Sequence, residues 1–170
     1  MKYKCRLRKF SSLLLAALIL LTCSACFNSS QIDLENYTEI VNGELPEDIR
    51  LTINYVDDYF LTPYAWSADD FINSTEAQKI VIERDELLSN LEAFKKLGLT
   101  EFMNKSKDRP NCGVRLYYVL ESGAHGSLLE VAISTIGYNA VVNGVEVAYD
   151  PALYEIVQPF LPENARNYYE

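Results

Sequence analysis

Residues 113–149 read GVRLYYVLESGAHGSLLEVAISTIGYNAVVNGVEVAY, and this stretch decides the fold. Four segments rich in β-branched and aromatic residues follow one another: 113–121, 128–136, 140–142 and 145–149. Such segments suit a pleated, half-buried surface, and only short polar breaks separate them. Between the last two stands Asn143-Gly144, a pair that tolerates the positive φ angles of a two-residue hairpin turn. Strands joined by hairpins run antiparallel. The stretch therefore predicts an antiparallel sheet rather than a crossover-built parallel one.

Working outward, residues 49–56 (IRLTINYV) alternate, with Ile49, Leu51, Ile53 and Tyr55 on one side and Arg50, Thr52 and Asn54 on the other. That pattern predicts a strand covered on one face only. Residues 79–83 (KIVIE) read as a second short strand. Asp85 then suits a helix N-cap, and ELLSNLEAFKKL places Leu87, Leu91 and Phe94 on one helical face, with Leu88 and Leu97 beside them. Lys95 and Lys96 lie at the negative end of that helix, and Gly98 is placed to close it in a left-handed conformation. Downstream, Asp150-Pro151 predicts a capped helix over ALYEIVQPFL that Pro159 kinks or ends. The expectation is one α+β domain over residues 49–170, with an antiparallel sheet of five to six strands and two helices packed on one face.

Residues 26–48 are polar and acidic and read as a tether. Leu34, Tyr37 and Val41 recur at helical spacing after Asp33, so a short docked helix ending near Gly43 is the alternative to a flexible stalk.

The first 25 residues have a different character. Lys2, Lys4, Arg6, Arg8 and Lys9 precede an apolar core of roughly a dozen residues, shorter than the ~20 a membrane-spanning helix needs. A cationic start, a short apolar core and a small-residue exit read as an export signal. The exit Cys23-Ser24-Ala25-Cys26 resembles the lipobox of bacterial lipoproteins. Ser24 and Ala25 match the small residues before the modified cysteine; Cys23 stands where a leucine is usual. The resemblance covers the leader alone. It implies cleavage after residue 25, a diacylglyceryl group on Cys26, and attachment through that lipid to the extracytoplasmic face of the cell membrane. Ordinary secretion is the rival reading, because Cys23 and Ala25 also fit a general signal-peptidase site; it would allow a Cys26–Cys112 bridge.

Charge limits the partners. The chain holds 15 cations and 24 acids, a net charge of −9. Without the five cations of the leader, 10 stand against 24, leaving −14. Such a chain does not neutralise phosphates, so no nucleic-acid partner is expected. An anionic membrane surface repels it, and the lipid would supply the attachment. An apolar fraction of 49% is far too high for a disordered acidic tail.

Catalytic chemistry is hard to place. The one histidine, His125, and Cys112 flank a predicted strand of about nine residues, which separates them by ~30 Å and opposes a thiolate–imidazole dyad. Two cysteines and one histidine beyond the leader are too few for a structural zinc site, and no phosphate-binding glycine loop is present; no metal or other cofactor is expected. The unusual stretch is residues 55–71, YVDDYFLTPYAWSADDF, where rings alternate with carboxylates. Tyr59, Tyr64, Trp66, Asp69 and Asp70 form a candidate surface for a glycan or a cationic protein ligand, ring faces supplying apolar contact and acids accepting hydrogen bonds. The competing structural role is to seal the end of the sheet. Two functions of different class follow: a non-enzymatic binding module, with ligand contacts on this loop or on a strand edge at 145–149, or a carboxylate hydrolase of cell-wall glycan using two of Asp57, Asp58, Asp69 and Asp70 beside Trp66.

Overall fold

Six antiparallel strands form one sheet in the order β2-β1-β3-β4-β5-β6: β1 (Arg50–Tyr55), β2 (Gln78–Glu83), β3 (Leu116–Ser122), β4 (Gly126–Ile133), β5 (Asn139–Val142) and β6 (Val145–Ala148). The computed structural model describes residues 32–57, 65–105, 113–134 and 139–166. The leader with Cys26, and Cys112, lie outside the described residues. The α+β antiparallel architecture read from residues 113–149 is the one observed. At the β5–β6 turn Asn143 and Gly144 adopt φ angles of 46° and 77°, the two successive positive values that the hairpin requires.

One face of the sheet carries the main core. Leu51, Ile53, Leu116, Tyr118, Leu120, Leu129, Val131 and Ile133 point there and are buried, as their period-2 spacing demands. Helices α1 (Glu35–Asn42), α3 (Arg84–Leu87), α4 (Leu91–Gly98) and α5 (Ala152–Glu155) contribute Tyr37, Val41, Leu87, Phe94, Leu97 and Leu153 to the same core. The Tyr118 hydroxyl donates to the Leu153 carbonyl at 2.7 Å, so the short C-terminal helix is fastened to the middle of the sheet.

The second face is partly covered too, which departs from the one-sided reading of residues 49–56. Helix α2 (Ala68–Ile72) places Phe71 against Val56, Tyr117 and Ala132. Asn54, expected to face solvent, is buried. The cause is α2, which lays the buried ring of Phe71 on a face that alternation alone marks as open.

Other differences are local. Ile32 and Leu34 already pack on the core and Tyr37 and Val41 are fully buried within it, so the second half of the segment read as a tether is part of the domain. Asp85 is not a cap; α3 begins at Arg84 after Glu83, and a 3-10 turn over Leu88–Asn90 divides it from α4. Leu88 is 43% exposed because that turn rotates it off the buried face. Gly98 sits in the last turn of α4 without a positive φ, and its lack of a side chain has another use: a Cβ there would meet Thr38 Oγ1 of α1 at 3.0 Å. Asp150 accepts the Ala152 N–H at 2.9 Å, but the N-cap of α5 is Pro151; the helix ends at Glu155, and Pro159 sits in a separate 3-10 turn over Gln158–Phe160.

Candidate binding groove

Of the ring-and-acid surface read from residues 55–71, Trp66, Asp69 and Asp70 are described, whereas Tyr59 and Tyr64, like Asp58, lie outside the described residues. Ser67 is the N-cap of α2: its hydroxyl accepts the Asp70 N–H at 3.1 Å and donates to the Asp70 carboxylate at 2.7 Å. The Ser67 N–H also donates to that carboxylate, at 3.3 Å, so the side chains of Ser67 and Asp70 each satisfy the other's backbone donor. This pairing also holds the Asp70 carboxyl below its ordinary pKa, first through the Ser67 hydroxyl and then through the Ser67 backbone. Asp57 accepts from Gln78 Nε2 at 3.0 Å and from Asn164 Nδ2 at 2.8 Å. Both carboxylates thus serve local structure. Asp69 is exposed.

Trp66 is half-buried, with its ring 5.7 Å from that of Phe71 and tilted by 53°. Its carbonyl accepts the Val114 N–H at 2.9 Å, seating residues 65–67 on the entry to β3. Backbones approach so closely there that a Cβ on Gly113 would lie 2.5 Å from the Trp66 nitrogen. The ring seals the second cluster and leaves part of itself open at the surface.

Beside this wall, over β4, β5 and β6, runs a groove of about 210 Å³. Ser67, Ala68 and Val114 form one side, Ala132, Ser134 and Val141 contribute to the floor, and Glu130 and Glu146 stand at the open side. Strand register explains the set: Ala132 pairs with Val141 and Val141 with Glu146, while Asn139 and Glu130 lie two residues along on the same face. Glu146 is paired with Lys105 at 2.9 Å. Glu130 accepts a hydrogen bond from the Tyr117 hydroxyl, whose pKa is raised by burial first and by that carboxylate second, so the phenol stays a protonated donor.

The telling residue is Asn139. It lines the groove and is only 8% exposed, yet neither its Oδ1 nor its Nδ2 has a hydrogen-bond partner among the described residues. Leaving buried polar groups unpaired costs about 1–3 kcal/mol each, so native proteins seldom do so without cause. Both atoms lie just beneath the groove surface, out of solvent contact.

Sequence reading missed this set. The available signal was polarity on one parity: Glu130, Ser134, Asn139 and Glu146 interrupt otherwise apolar strands at positions that register brings together. Conversely, the edge at 145–149 is not free. The Ala148 N–H donates to the Met103 carbonyl at 2.9 Å, and Asn104 bridges to Val147, covering the outer side of β6. His125 is exposed at the β3–β4 turn. Among the described residues no group of three His, Cys, Asp or Glu side chains is placed to hold a metal ion, and no helix is long and apolar enough to cross a membrane.

No protein-family model, curated protein or solved structure matches this chain.

Proposed function

We propose that the chain is a lipid-anchored binding module on the extracytoplasmic face of the cell membrane, with Cys26 carrying the lipid and the groove over β4–β6 taking a protein or glycan ligand. The leader and its Cys23-Ser24-Ala25-Cys26 exit support the anchor. The single observation that carries the binding role is the unpartnered Asn139 amide at the groove. A side chain that destabilises the empty protein is explained if a ligand supplies the missing hydrogen bonds. Apolar walls with a few polar groups are the usual composition of a ligand site.

Two measurements test this reading. Intact mass of membrane-extracted protein should show a diacylglyceryl-modified chain starting at Cys26, and Cys26→Ala should abolish both the modification and the membrane attachment; release of the wild-type protein into the medium overturns the anchor. Trp66 is the sole tryptophan and adjoins the groove wall, so its emission reports occupancy. Titration with soluble cell-wall fragments carrying both disaccharide and peptide should give a saturable change that Asn139→Leu abolishes while leaving the fold intact. Equal responses from the two proteins, or none from either, remove the groove from consideration.

A further inference from the structure

We infer that the outer edge of β2 is a self-association surface, on which a second copy of this chain adds its own β2 to continue the sheet. Strand β2 is terminal in the sheet, and among the described residues nothing pairs with its outer side. At the opposite end the edge of β6 is blocked by Met103 and Asn104, so only one of the two edges is covered among the described residues. An open edge presents unpaired backbone donors and acceptors that template another strand.

The side chains of this edge are complementary to themselves. Lys79, Val81 and Glu83 share the face opposite the main core, since Val81 pairs with Thr52 while Ile80 and Ile82 take the other parity. With Val81 opposite its own copy in an antiparallel pair, Lys79 of each chain falls opposite Glu83 of the other. Ile80 falls opposite Ile82. A register shifted by two residues sets Val81 against a charge instead. Val81 is 44% exposed, an unusual state for a valine in a strand interior, and the pairing covers it.

Lys79 gives the second observation. Arg50, Arg84, Lys95, Lys96, Lys105, Arg115 and Arg166 all have polar or charged partners within the protomer, and Lys79 is the one cation among the described residues without any. Among the described residues Glu83 has none either; its ladder neighbour Arg50 turns its Nε to Glu121 at 2.9 Å. A lone edge lysine commonly serves to repel strands. Here an acid four residues on, on the same face, turns that repulsion into register selection. The resulting two-fold axis is normal to the sheet, so both helical layers lie on one side of it and both grooves open to the other.

Site-specific crosslinking of the full-length chain in detergent tests this. Facing Cα atoms in an antiparallel pair are about 4.5–5.5 Å apart, within disulfide reach. Val81→Cys should therefore form an oxidised dimer well above the background of the parent chain with its own cysteines. Gln78→Cys, roughly 20 Å from its own copy in this register, should not. Adding Lys79→Glu to Val81→Cys should lower the crosslinked fraction about fivefold or more, since it puts like charges opposite each other at two places. Adding Glu83→Lys as well should restore it, which separates the charge match from any folding defect. Crosslinking by Val81→Cys no stronger than the parent's, equal crosslinking at position 78, or failure of the charge swap to restore the dimer each overturns the proposal.

Discussion

The hydroxyl of Tyr37, on α1, donates a 2.7 Å hydrogen bond to the carbonyl of Phe94, on α4, and both side chains are buried in the main core. Burial raises the Tyr37 pKa strongly, so the hydroxyl is a protonated donor at neutral pH. The segment before β1 is thus an integral layer, bound to a helix more than fifty residues away. Tyr37→Phe should cost about 1 kcal/mol, the net worth of one buried hydrogen bond, and Tyr37→Ala about 3–5 kcal/mol, since it leaves a cavity under α1. Equilibrium urea unfolding reads both. An unchanged midpoint for Tyr37→Ala would mean that α1 is not part of the cooperative unit.

Asn139 predicts a gain rather than a loss. Both of its amide atoms are buried without partners among the described residues, and the groove beside it has room for a side chain of similar shape. Asn139→Leu should stabilise the unliganded protein by about 1–3 kcal/mol, which raises the melting temperature by ~3 °C for each kcal/mol in a domain of this size. A scanning melt of the two proteins is sufficient. A lower melting temperature for the variant would show that the amide is satisfied in solution, and the argument for an empty ligand site would fail with it.

The sheet was legible in the sequence because its signals are local. Asn143-Gly144 names its own turn, and Leu116, Tyr118 and Leu120 announce a buried face by spacing alone. Helix α1 was half legible: Leu34, Tyr37 and Val41 show the right period, but nothing local says whether such a short helix docks or frays, because its stability comes from Phe94 and Gly98 far along the chain. The groove was illegible for a stronger reason. Glu130, Asn139 and Glu146 belong to three strands, and only cross-strand register places them together. Trp66 and Asp70 stand out by residue type, yet the structure gives them mainly to sealing and capping.

The β5–β6 turn should be sensitive at both residues, for different reasons. Gly144, at φ 77°, has no neighbour within 4 Å of an added Cβ, so Gly144→Ala costs only the left-handed strain, about 1–2 kcal/mol. Asn143 does more: its Oδ1 accepts the Glu130 N–H at 2.8 Å and its Nδ2 donates to the Asp33 carbonyl at 3.0 Å, joining the turn to β4 and to the approach of α1. Asn143→Ala should therefore cost more than Gly144→Ala, about 2–3 kcal/mol. Asn143→Gly, which relieves the strain but loses both hydrogen bonds, should fall below it. Denaturant midpoints for the three variants test the ordering. A neutral Asn143→Gly would show that the side chain is dispensable.

Asp48 supplies the pH dependence. Its carboxylate accepts from the Ser122 hydroxyl at 3.0 Å and from the Gly123 N–H at 2.7 Å, fastening the residues before β1 to the β3–β4 turn. The Ser122 hydrogen bond is the main cause that lowers its pKa from the ordinary 3.8. A carboxyl depressed in the folded state stabilises fully above its unfolded value, and that contribution fades as pH falls from 3.8 through the folded value. Asp48→Asn keeps an acceptor oxygen but no charge, so the melting-temperature gap between wild type and variant should be widest near neutrality and close in acid. Gly123→Ala should mimic the loss near neutral pH, because its Cβ would stand 2.7 Å from Asp48 Oδ2 and displace the carboxylate. A gap that stays constant across the acid range would show that Asp48 keeps an ordinary pKa, and that its contacts with Ser122 and Gly123 do not distinguish the charged form from the neutral one.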